Sequence, residues 1–414
     1  RLVGNNEHGG GNQEAAPSTS ALAPFSGLSI LDASQGIAGP YCAAMLCAQG
    51  ATVYKVEPPS GDWGRGIGAS SDGMSALSTS ANGGKQAICV DASTADGAAL
   101  MTRLAKQVDI VIESFRPGVA ARVGLDPHVL LATRPDQIIL SVSGFGDHGP
   151  GAKRPGSDSV LQAMTGTMHL NADDTGQPRM FPMYLIDTVT SLYAAQLLTA
   201  AVLERQQTGN GRHVKVSLLE AAAALQTMPA LESVLRTRLP AGKPPVPSGV
   251  FTTTDGFIRV TSVTQRTFEA LCKGLDRLGW INDLKFVSNE ARLANADELN
   301  AAVADILAKR TTREWLDTLE PLGVLCAPIN DYAAFREEPQ VKAMDIYANV
   351  EQPGLGSIPM PRQPGLSQTP QPSPLLGEHT KGALKALGLS EAEIQSLIDA
   401  RVVQQRHTAA NHRN

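Results

Sequence analysis

Residues 28–57, LSILDASQGIAGPYCAAMLCAQGATVYKVE, contain two short apolar runs separated by a helical pattern. The runs at 28–32 and 52–57 are typical of buried strands. Pro40 stands where proline is favoured in the first turn of a helix, and Gly50 is suited to end that helix. A helix between two strands supplies the crossover that parallel strands need, so this stretch predicts a strand–helix–strand unit with parallel strands.

Strand and helix patterns continue to alternate after this unit. We expect strands at 87–91, 108–113 and 137–143, with helices at 94–106 and 127–133 between them. Such alternation over ~120 residues predicts a large, doubly wound, Rossmann-like α/β domain with a parallel sheet.

The second half of the chain has a different pattern. Residues 251–263 are two β-rich runs around Asp255-Gly256, a dipeptide that is favoured in hairpin turns, and helical patterns follow. The proline-rich residues 240–247 before the hairpin are typical of a linker. We therefore assign a flexible N-terminal arm to residues 1–26, a large α/β domain to 27–222 with 330–405, a linker to 223–247 and a small α+β domain to 248–329.

The composition argues against several classes of partner. The 414 residues carry a net charge of −5, so no basic surface for nucleic acid is expected. No apolar run approaches ~18 residues, so we expect no membrane span. The five cysteines are scattered and include no C-x-x-C, which argues against a disulfide framework and a zinc site. These features favour a cytoplasmic protein.

One carboxylate stands at a distinctive position in residues 181–219. Apolar side chains recur at helical spacing from Val189 to Leu203, and the segment TGNG at 208–211 is suited to end that helix. Asp187 precedes the pattern, so the sequence places it at the N-terminus of a long helix.

Asp187 has two interpretations. As a helix cap it would accept a backbone N–H and contribute about 1–2 kcal/mol. As a reactive carboxylate it would be kept ionised by the helix dipole, with spare N–H donors nearby for a developing oxyanion. The stretch alone does not decide between them.

Several other chemistries lack their motifs. The loop QGIAGP at 35–40 departs from G-x-G-x-x-G, and Pro40 removes an N–H that would hold a pyrophosphate, which argues against NAD or FAD. There is no G-x-S-x-G, and serines such as Ser141 have no evident histidine partner. The eight histidines show no metal-ligand spacing, and His213 is expected to be structural. We therefore expect no metal site and no prosthetic group.

Cationic residues follow several of the predicted strands, at the sheet edge where open α/β sheets bind ligands. Together they could hold a phosphorylated ligand such as coenzyme A (CoA). These residues are Arg65, Lys85, Arg116, Arg122, Lys153 and Arg154.

Four short motifs occur in a specific order: A-G-P at 38–40, S-F-R-P-G at 114–118, T-G-N-G at 208–211 and G-E-H-T at 377–380. With these motifs the chain resembles the family III CoA-transferases, the CaiB/BaiF family, from about Leu28 to Val402. The resemblance implies that Asp187 is the nucleophile of a ping-pong exchange between an acyl-CoA donor and a carboxylic acid acceptor. It also implies a mixed anhydride and an aspartyl-CoA thioester as intermediates, and an interlocked homodimer.

The same resemblance implies which residues bind the CoA substrate: Ile37, Ala38, Lys85, Phe115 and Arg122. Three departures from the family pattern are visible. Pro58 replaces an arginine, Ser114 replaces an asparagine, and the glycine run that covers the site in formyl-CoA transferases has no clear counterpart, with Ser248-Gly249 the nearest. Met180, Met183, Tyr184 and Leu185 precede the nucleophile and are candidates for an acyl pocket.

Two alternatives remain from other classes. The related α-methylacyl-CoA racemases use a histidine directly before the aspartate that corresponds to Asp158, and here that position is Ser157, which cannot cycle protons unaided. A racemase, isomerase or lyase on the same fold is one alternative. A non-catalytic acyl-CoA-binding protein is the other.

Overall fold

The computed structural model describes residues 23–239 and 242–406. Most of the predicted arm, residues 1–22, lies outside these ranges, as do positions 240 and 241 of the predicted linker. The described residues form two compact units. One contains the chain up to Thr227 and again from Ile346, and the other is Met228–Asp345.

The first unit is built on a seven-stranded sheet with the order β14-β5-β2-β1-β6-β7-β8. Its strands are β1 Ser29–Asp32, β2 Thr52–Glu57, β5 Gln86–Val90, β6 Ile110–Glu113, β7 Ile138–Ser143, β8 Arg212–Ser217 and β14 Val403–Gln404. All neighbours pair in parallel except β14, which runs antiparallel to β5. The predicted parallel α/β sheet is therefore confirmed.

Helices cover both faces of this sheet. They are α1 Ala38–Ala48, α2 Ala76–Asn82, α3 Ala95–Ala105, α4 Val119–Arg122, α5 Pro127–Thr133, α6 Asp158–Met164, α7 Thr167–Leu170, α8 Leu185–Thr208, α9 Leu218–Leu225, α17 Thr380–Ala386 and α18 Glu391–Asp399. A short 3₁₀ helix, Trp63–Gly66, and a pair of two-residue strands, β3 Ser70–Ser71 and β4 Met74–Ser75, follow β2.

The alternation of side chains along each strand produces two cores. Ile30 and Ile110 point to the face that α1 and α8 cover. Their neighbours Leu31 and Val111 point to the opposite face, which α3, α17 and α18 cover. Each face is largely apolar because the sheet is buried on both sides, as is typical of parallel sheets, although charged side chains such as Asp32 and Lys55 are also buried there.

The end of the described chain differs from expectation. The sequence predicts a frayed segment from Val402, but Val402 and Val403 are buried, and Val403 pairs with Val90 at the sheet edge. Two adjacent valines supply enough apolar surface to hold the segment against the core in spite of its polar surroundings.

The second unit contains an antiparallel sheet of β9 Ser248–Thr252, β10 Phe257–Thr261 and β11 Leu325–Pro328. The predicted hairpin turn is present, and Thr253 N donates to Gly256 O at 2.9 Å. The helices of this unit are α10 Thr227–Leu235, α11 Gln265–Gly274, α12 Asn289–Ala294, α13 Ala296–Leu307, α14 Thr312–Leu319, α15 Tyr332–Glu337 and α16 Pro339–Ala343. A further hairpin, β12 Tyr347–Gln352 with β13 Gly356–Pro361, belongs to the first unit.

The single long helix that the sequence predicts over 218–238 is two helices, α9 and α10. Pro229 has no N–H to donate to the carbonyl of residue 225, so a continuous helical hydrogen-bond ladder is interrupted there. Part of the stretch assigned to the linker is therefore helical.

Helix α8 is long and apolar enough, by length and composition alone, to cross a membrane, and it is the single such helix within 23–239 and 242–406. Polar side chains such as Thr190 and Gln196 interrupt this helix, so the observation that no apolar run approaches ~18 residues still holds. The helix also packs its buried side chains, Ala194 and Leu198 among them, into the core of the first unit. A core helix passes the same test, so the indication of a membrane is weak.

Candidate active site

Asp187 lies in the first turn of α8, where the sequence places it. The capping group of this helix is Asp158, the first residue of α6. Its Oδ2 accepts from Ile186 N at 2.7 Å and from Asp187 N at 3.1 Å. The prediction that Asp187 caps the helix with its own side chain is therefore wrong, because a carboxylate from another helix occupies that role.

The other two N–H groups of the first turn are also used. Leu185 N donates to Met183 O at 2.9 Å, and Thr188 N donates to Tyr184 O at 3.1 Å. The start of α8 therefore has no spare N–H donor for an oxyanion, and any such donor near Asp187 must come from another element.

Gln162, also on α6, fixes Asp158 in place. Its Nε2 donates to Asp158 Oδ1 at 2.6 Å and lies 3.1 Å from Met183 O, while its Oε1 accepts from Phe181 N at 2.9 Å. Both Asp158 and Gln162 are buried. One polar network thus joins α6 to the chain segment that leads into α8.

The Asp187 carboxyl is buried, with 9% of its surface exposed. No hydrogen bond to its side-chain oxygens is found from any residue that the structure describes. Burial, followed by the charge of Asp158, raises the pKa of Asp187 to about 7. We expect the helix dipole to favour the ionised form of Asp187, whereas desolvation and a like charge oppose it. A carboxylate that is mostly desolvated and accepts no hydrogen bond is more reactive as a nucleophile than one in water.

Asp187 opens into a cleft of about 950 Å³ at the carboxyl edge of the parallel strands. Four segments form its walls: the loop into α1, the turn after β6, the loop after β7 and the approach to α8. Together with Trp63 after β2 and Leu218 at the start of α9, they contribute Gln35, Ile37, Ala38, Ser114, Phe115, Arg116, Pro117, Val119, Val142, Ser143, Gly144, Ala152, Arg154, Gly156, Ser157, Asp158, Ser159, Met180, Pro182, Met183 and Tyr184. Ligands of open α/β sheets bind at this edge.

The N-terminus of α1 adjoins the first turns of α8. Ser191 Oγ lies 2.9 Å from Asp187 O and 3.5 Å from Ile37 O. The N–H groups of Ala38 and Gly39 have no acceptor in the described part of the chain. Free N–H groups beside a reacting carboxylate can stabilise a developing oxyanion, and near Asp187 such groups are at the start of α1 and not at the start of α8.

The loop into α1 is held by a buried ion pair. Asp62 accepts from Gly36 N at 3.0 Å and from Gly64 N at 2.9 Å, and it pairs with Lys55 Nζ at 3.0 Å. Gly36 has φ +79°, and a Cβ there would lie 2.2 Å from the ring of Trp63. Only glycine fits, so Trp63 packs directly on the loop that presents Ile37 and Ala38.

The predicted CoA ligands are only partly brought together. Ile37, Ala38 and Phe115 line the cleft with Asp187. Lys85 does not: it is buried, and its Nζ donates to Asp32 Oδ2 at 2.7 Å, Pro40 O at 2.7 Å and Asn82 Oδ1 at 2.9 Å. All three N–H donors of the Lys85 ammonium group are used within the protein, so this group supports the first residues of α1 and has no donor left for a ligand.

Arg122 is exposed at the end of α4 and is not part of the cleft wall. Arg65 is also excluded from the cleft, because it forms a bidentate, buried pair with Glu57, at 2.6 Å for both hydrogen bonds. Two of the six cations that the sequence singles out, Arg116 and Arg154, do line the cleft.

Sequence reasoning missed Trp63 as a wall of the cleft and the role of Asp158 as a cap. It also missed a partner of Ser141, whose Oγ lies 2.8 Å from Nε2 of His213. This pair joins the neighbouring strands β7 and β8 outside the cleft. No group of three or more metal-ligating side chains is found over the ranges described.

A parallel sheet with a buried, unpaired carboxyl in a cleft at its carboxyl edge is the architecture of an α/β enzyme. The sequence model of CoA-transferase family III matches residues 25–380. The chain belongs to CoA-transferase family III, as the four motifs indicate.

Named relatives and a solved structure agree with this assignment. Succinate–glutarate CoA-transferase of Agrobacterium fabrum is 32% identical over 387 residues, covering 88% of this chain and 96% of that enzyme. Succinyl-CoA:glutarate CoA-transferase of Homo sapiens is 31% identical, covering 94% and 91%. The crystal structure of a CaiB/BaiF family protein from Brucella suis has a TM-score of 0.80 at 29% identity, covering 88% of this chain and 99% of that one.

Proposed function

We propose that this enzyme moves CoA from an acyl-CoA donor to a carboxylic acid acceptor, with Asp187 as the nucleophile. The observation that carries the proposal is the Asp187 carboxyl itself, which is buried in the cleft and bonded to no donor among the described residues. The relatives from Agrobacterium fabrum and Homo sapiens support it, because both are named as CoA-transferases that use succinate and glutarate or their thioesters.

The proposed reaction keeps an activated acyl bond at every step. The Asp187 carboxylate attacks the thioester carbonyl, the C–S bond breaks, and a mixed anhydride and CoA thiolate form. The thiolate then attacks the Asp187 carbonyl, which gives an aspartyl-CoA thioester and releases the donor acid. The acceptor carboxylate attacks this thioester to form a second anhydride, and the thiolate takes the acceptor acyl group. No redox step or activated water is needed.

The residues of α1 and of the turn after β6 are proposed to bind CoA. Ile37, Ala38 and Phe115 line the cleft, and the N–H groups of Ala38 and Gly39 would stabilise the oxyanion of each attack. Lys85 would act indirectly through Pro40 O. Arg122 is not included among the proposed ligands, because it is outside the cleft.

The racemase alternative is disfavoured by the second carboxyl of the site. Asp158 is next to the position of the racemase histidine, which is Ser157 here, but both of its oxygens are engaged by Gln162 and by the start of α8. A group that caps a helix with both oxygens is poorly placed to exchange protons with a substrate. A non-catalytic binding protein is disfavoured because binding alone gives no reason for a desolvated carboxyl.

We further propose that the first unit is the CoA-binding domain, that the second is the small domain, and that two chains form an interlocked homodimer in the cytoplasm. Four apolar side chains of α8, Leu192, Tyr193, Leu197 and Leu203, are exposed, which favours a partner surface. The five cysteines are free, as is typical of a reducing compartment.

Trapping of the acyl intermediate tests the proposed function. Incubation with an acyl-CoA and borohydride should reduce the aspartyl thioester, so that peptide mass spectrometry finds the Asp187 side chain converted to its alcohol. Enzyme without donor and Asp187→Asn enzyme with donor are the controls. An active enzyme in which Asp187 is never modified would contradict the mechanism.

A further inference from the structure

Two exposed arginines line the cleft on different walls. Arg116 follows β6, beside Phe115 and the proposed CoA contacts, whereas Arg154 lies in the loop after β7. Four residues after Arg154 comes Asp158, which is bonded to the backbone of the nucleophile. Arg154 is therefore on the wall that holds Asp187.

The loop that carries Arg154 is built to hold one conformation. Its two ends touch, because a Cβ on Gly144 would lie 2.9 Å from Gly156 Cα. The Arg154 guanidinium stacks on the buried ring of Phe145, with 4.9 Å from Cζ to the ring centroid, and Arg154 N donates to Gly151 O at 2.9 Å. A guanidinium that is already placed by a ring loses less entropy when it binds a ligand.

The fold provides no counter-charge for Arg154. None of the described carboxylates forms an ion pair with it, and its one further contact is weak, with Nη1 3.9 Å from Met164 Sδ. The acid of its own loop, Asp147, is engaged by Lys215 at 2.5 Å and by His148 at 2.9 Å. The planar edge of Arg154 is thus free to bind a carboxylate through two hydrogen bonds.

We infer that Arg154 binds a second carboxylate of the substrate, so that the enzyme prefers dicarboxylic acids and their mono-CoA thioesters. The inference rests on the proposed function and adds the substrate class of the same site. One carboxyl of the acid reacts at Asp187, and the apolar side chains of Met180 and Met183 also line the cleft. In a ping-pong exchange donor and acceptor occupy the same place in turn, so Arg154 would select both.

The test compares a straight-chain dicarboxylic acid with its monomethyl ester as acceptors, over a series of chain lengths, with one acyl-CoA donor held constant. The ester keeps the shape of the acid but removes the distal charge. We expect the full-length enzyme to favour the diacid about 10- to 100-fold in kcat/KM, the range for a charged hydrogen-bonded pair. Arg154→Gln should remove most of this ratio, and Arg154→Lys should retain part of it.

Lys153 provides a matched control, because it is the adjacent cation, is exposed and is not part of the cleft wall. Lys153→Gln should keep the diacid-to-ester ratio of the wild type.

A wild-type enzyme that transfers CoA equally well to both acceptors would overturn the inference and leave the proposed function standing. The inference is also overturned if Arg154→Gln raises the KM of the acyl-CoA donor and leaves the ratio unchanged, since Arg154 would then be a phosphate contact. Absence of transfer to any acceptor would overturn the proposed function and the inference with it.

Discussion

Replacement of Asp187 by asparagine should stabilise the folded protein at alkaline pH. Burial and Asp158 raise the pKa of this carboxyl from its ordinary 3.8 to about 7. At about 1.4 kcal/mol for each pKa unit, the ionised group costs the folded state about 4 kcal/mol above pH 7. Asparagine has the same shape and never ionises, so the variant avoids this cost.

The sign of this stability difference, and the pH range over which it changes, follow from proton binding. Between pH 3.8 and about 7 the folded state retains a proton that the unfolded chain has lost, so the stability of the wild type falls as the pH rises. Above pH 7 both states are ionised and the loss is complete. The free-energy advantage of Asp187→Asn should therefore grow by about 2.5 kcal/mol from about pH 5 to about pH 8.

Urea unfolding of both proteins, followed by circular dichroism at each pH, measures this difference. Asp96→Asn is a matched control, because Asp96 is also in the first turn of a helix but is exposed. Asp96→Asn loses a favourable interaction with the helix dipole, so it should lower the free energy of unfolding by about 0.3–1 kcal/mol. This change is opposite in sign to the one expected for Asp187→Asn. An Asp187→Asn variant that is less stable than the wild type at pH 8 would refute this reasoning, because a capping or ion-paired aspartate behaves in that way.

Three further predictions concern the same site and its support. The kcat/KM for acyl-CoA should rise with pH to a plateau with its midpoint near 7, because only the ionised Asp187 attacks, and a pH–rate profile with a midpoint below about 5 would contradict this. Asp158→Asn should move that midpoint to lower pH by removing a like charge, and should cost about 1–3 kcal/mol in urea unfolding because the start of α8 loses part of its cap. Lys85→Met should destabilise the fold by about 3–5 kcal/mol, because Asp32 is left buried without its ion-pair partner. An unchanged stability with a raised KM for acyl-CoA would instead show that Lys85 is a direct ligand.

The features that the sequence predicts correctly depend on neighbours along the chain. The strand–helix–strand unit, the position of Asp187 in the first turn of α8 and the end of that helix at Gly209 all follow from local periodicity and turn residues. The same holds for the hairpin turn at Asp255-Gly256. These elements place Asp187 in the first turn of α8.

The features that the sequence does not predict depend on contacts between distant residues. Asp158 meets the backbone of Asp187 across 29 positions. This contact caps the helix, and the charge of Asp158 adds to the effect of burial in raising the pKa of Asp187. Lys85 meets Asp32 across 53 positions, which turns a candidate ligand into an internal support. Local sequence patterns carry no information on which distant residues come into contact. A family motif likewise gives the type of residue at a position but not the side chains that it contacts in the fold.

The identity of the nucleophile can be tested most directly with an acceptor acid labelled with ¹⁸O in its carboxylate. In the proposed sequence the acceptor carboxylate forms an anhydride with Asp187, and the thiolate then attacks the acceptor carbonyl. The bridging oxygen, which came from the acceptor, remains on the enzyme. After turnover, mass spectrometry should find ¹⁸O in the peptide that contains Asp187. Label that is absent from this peptide during active transfer, or present on another carboxyl such as Asp158, would contradict the account.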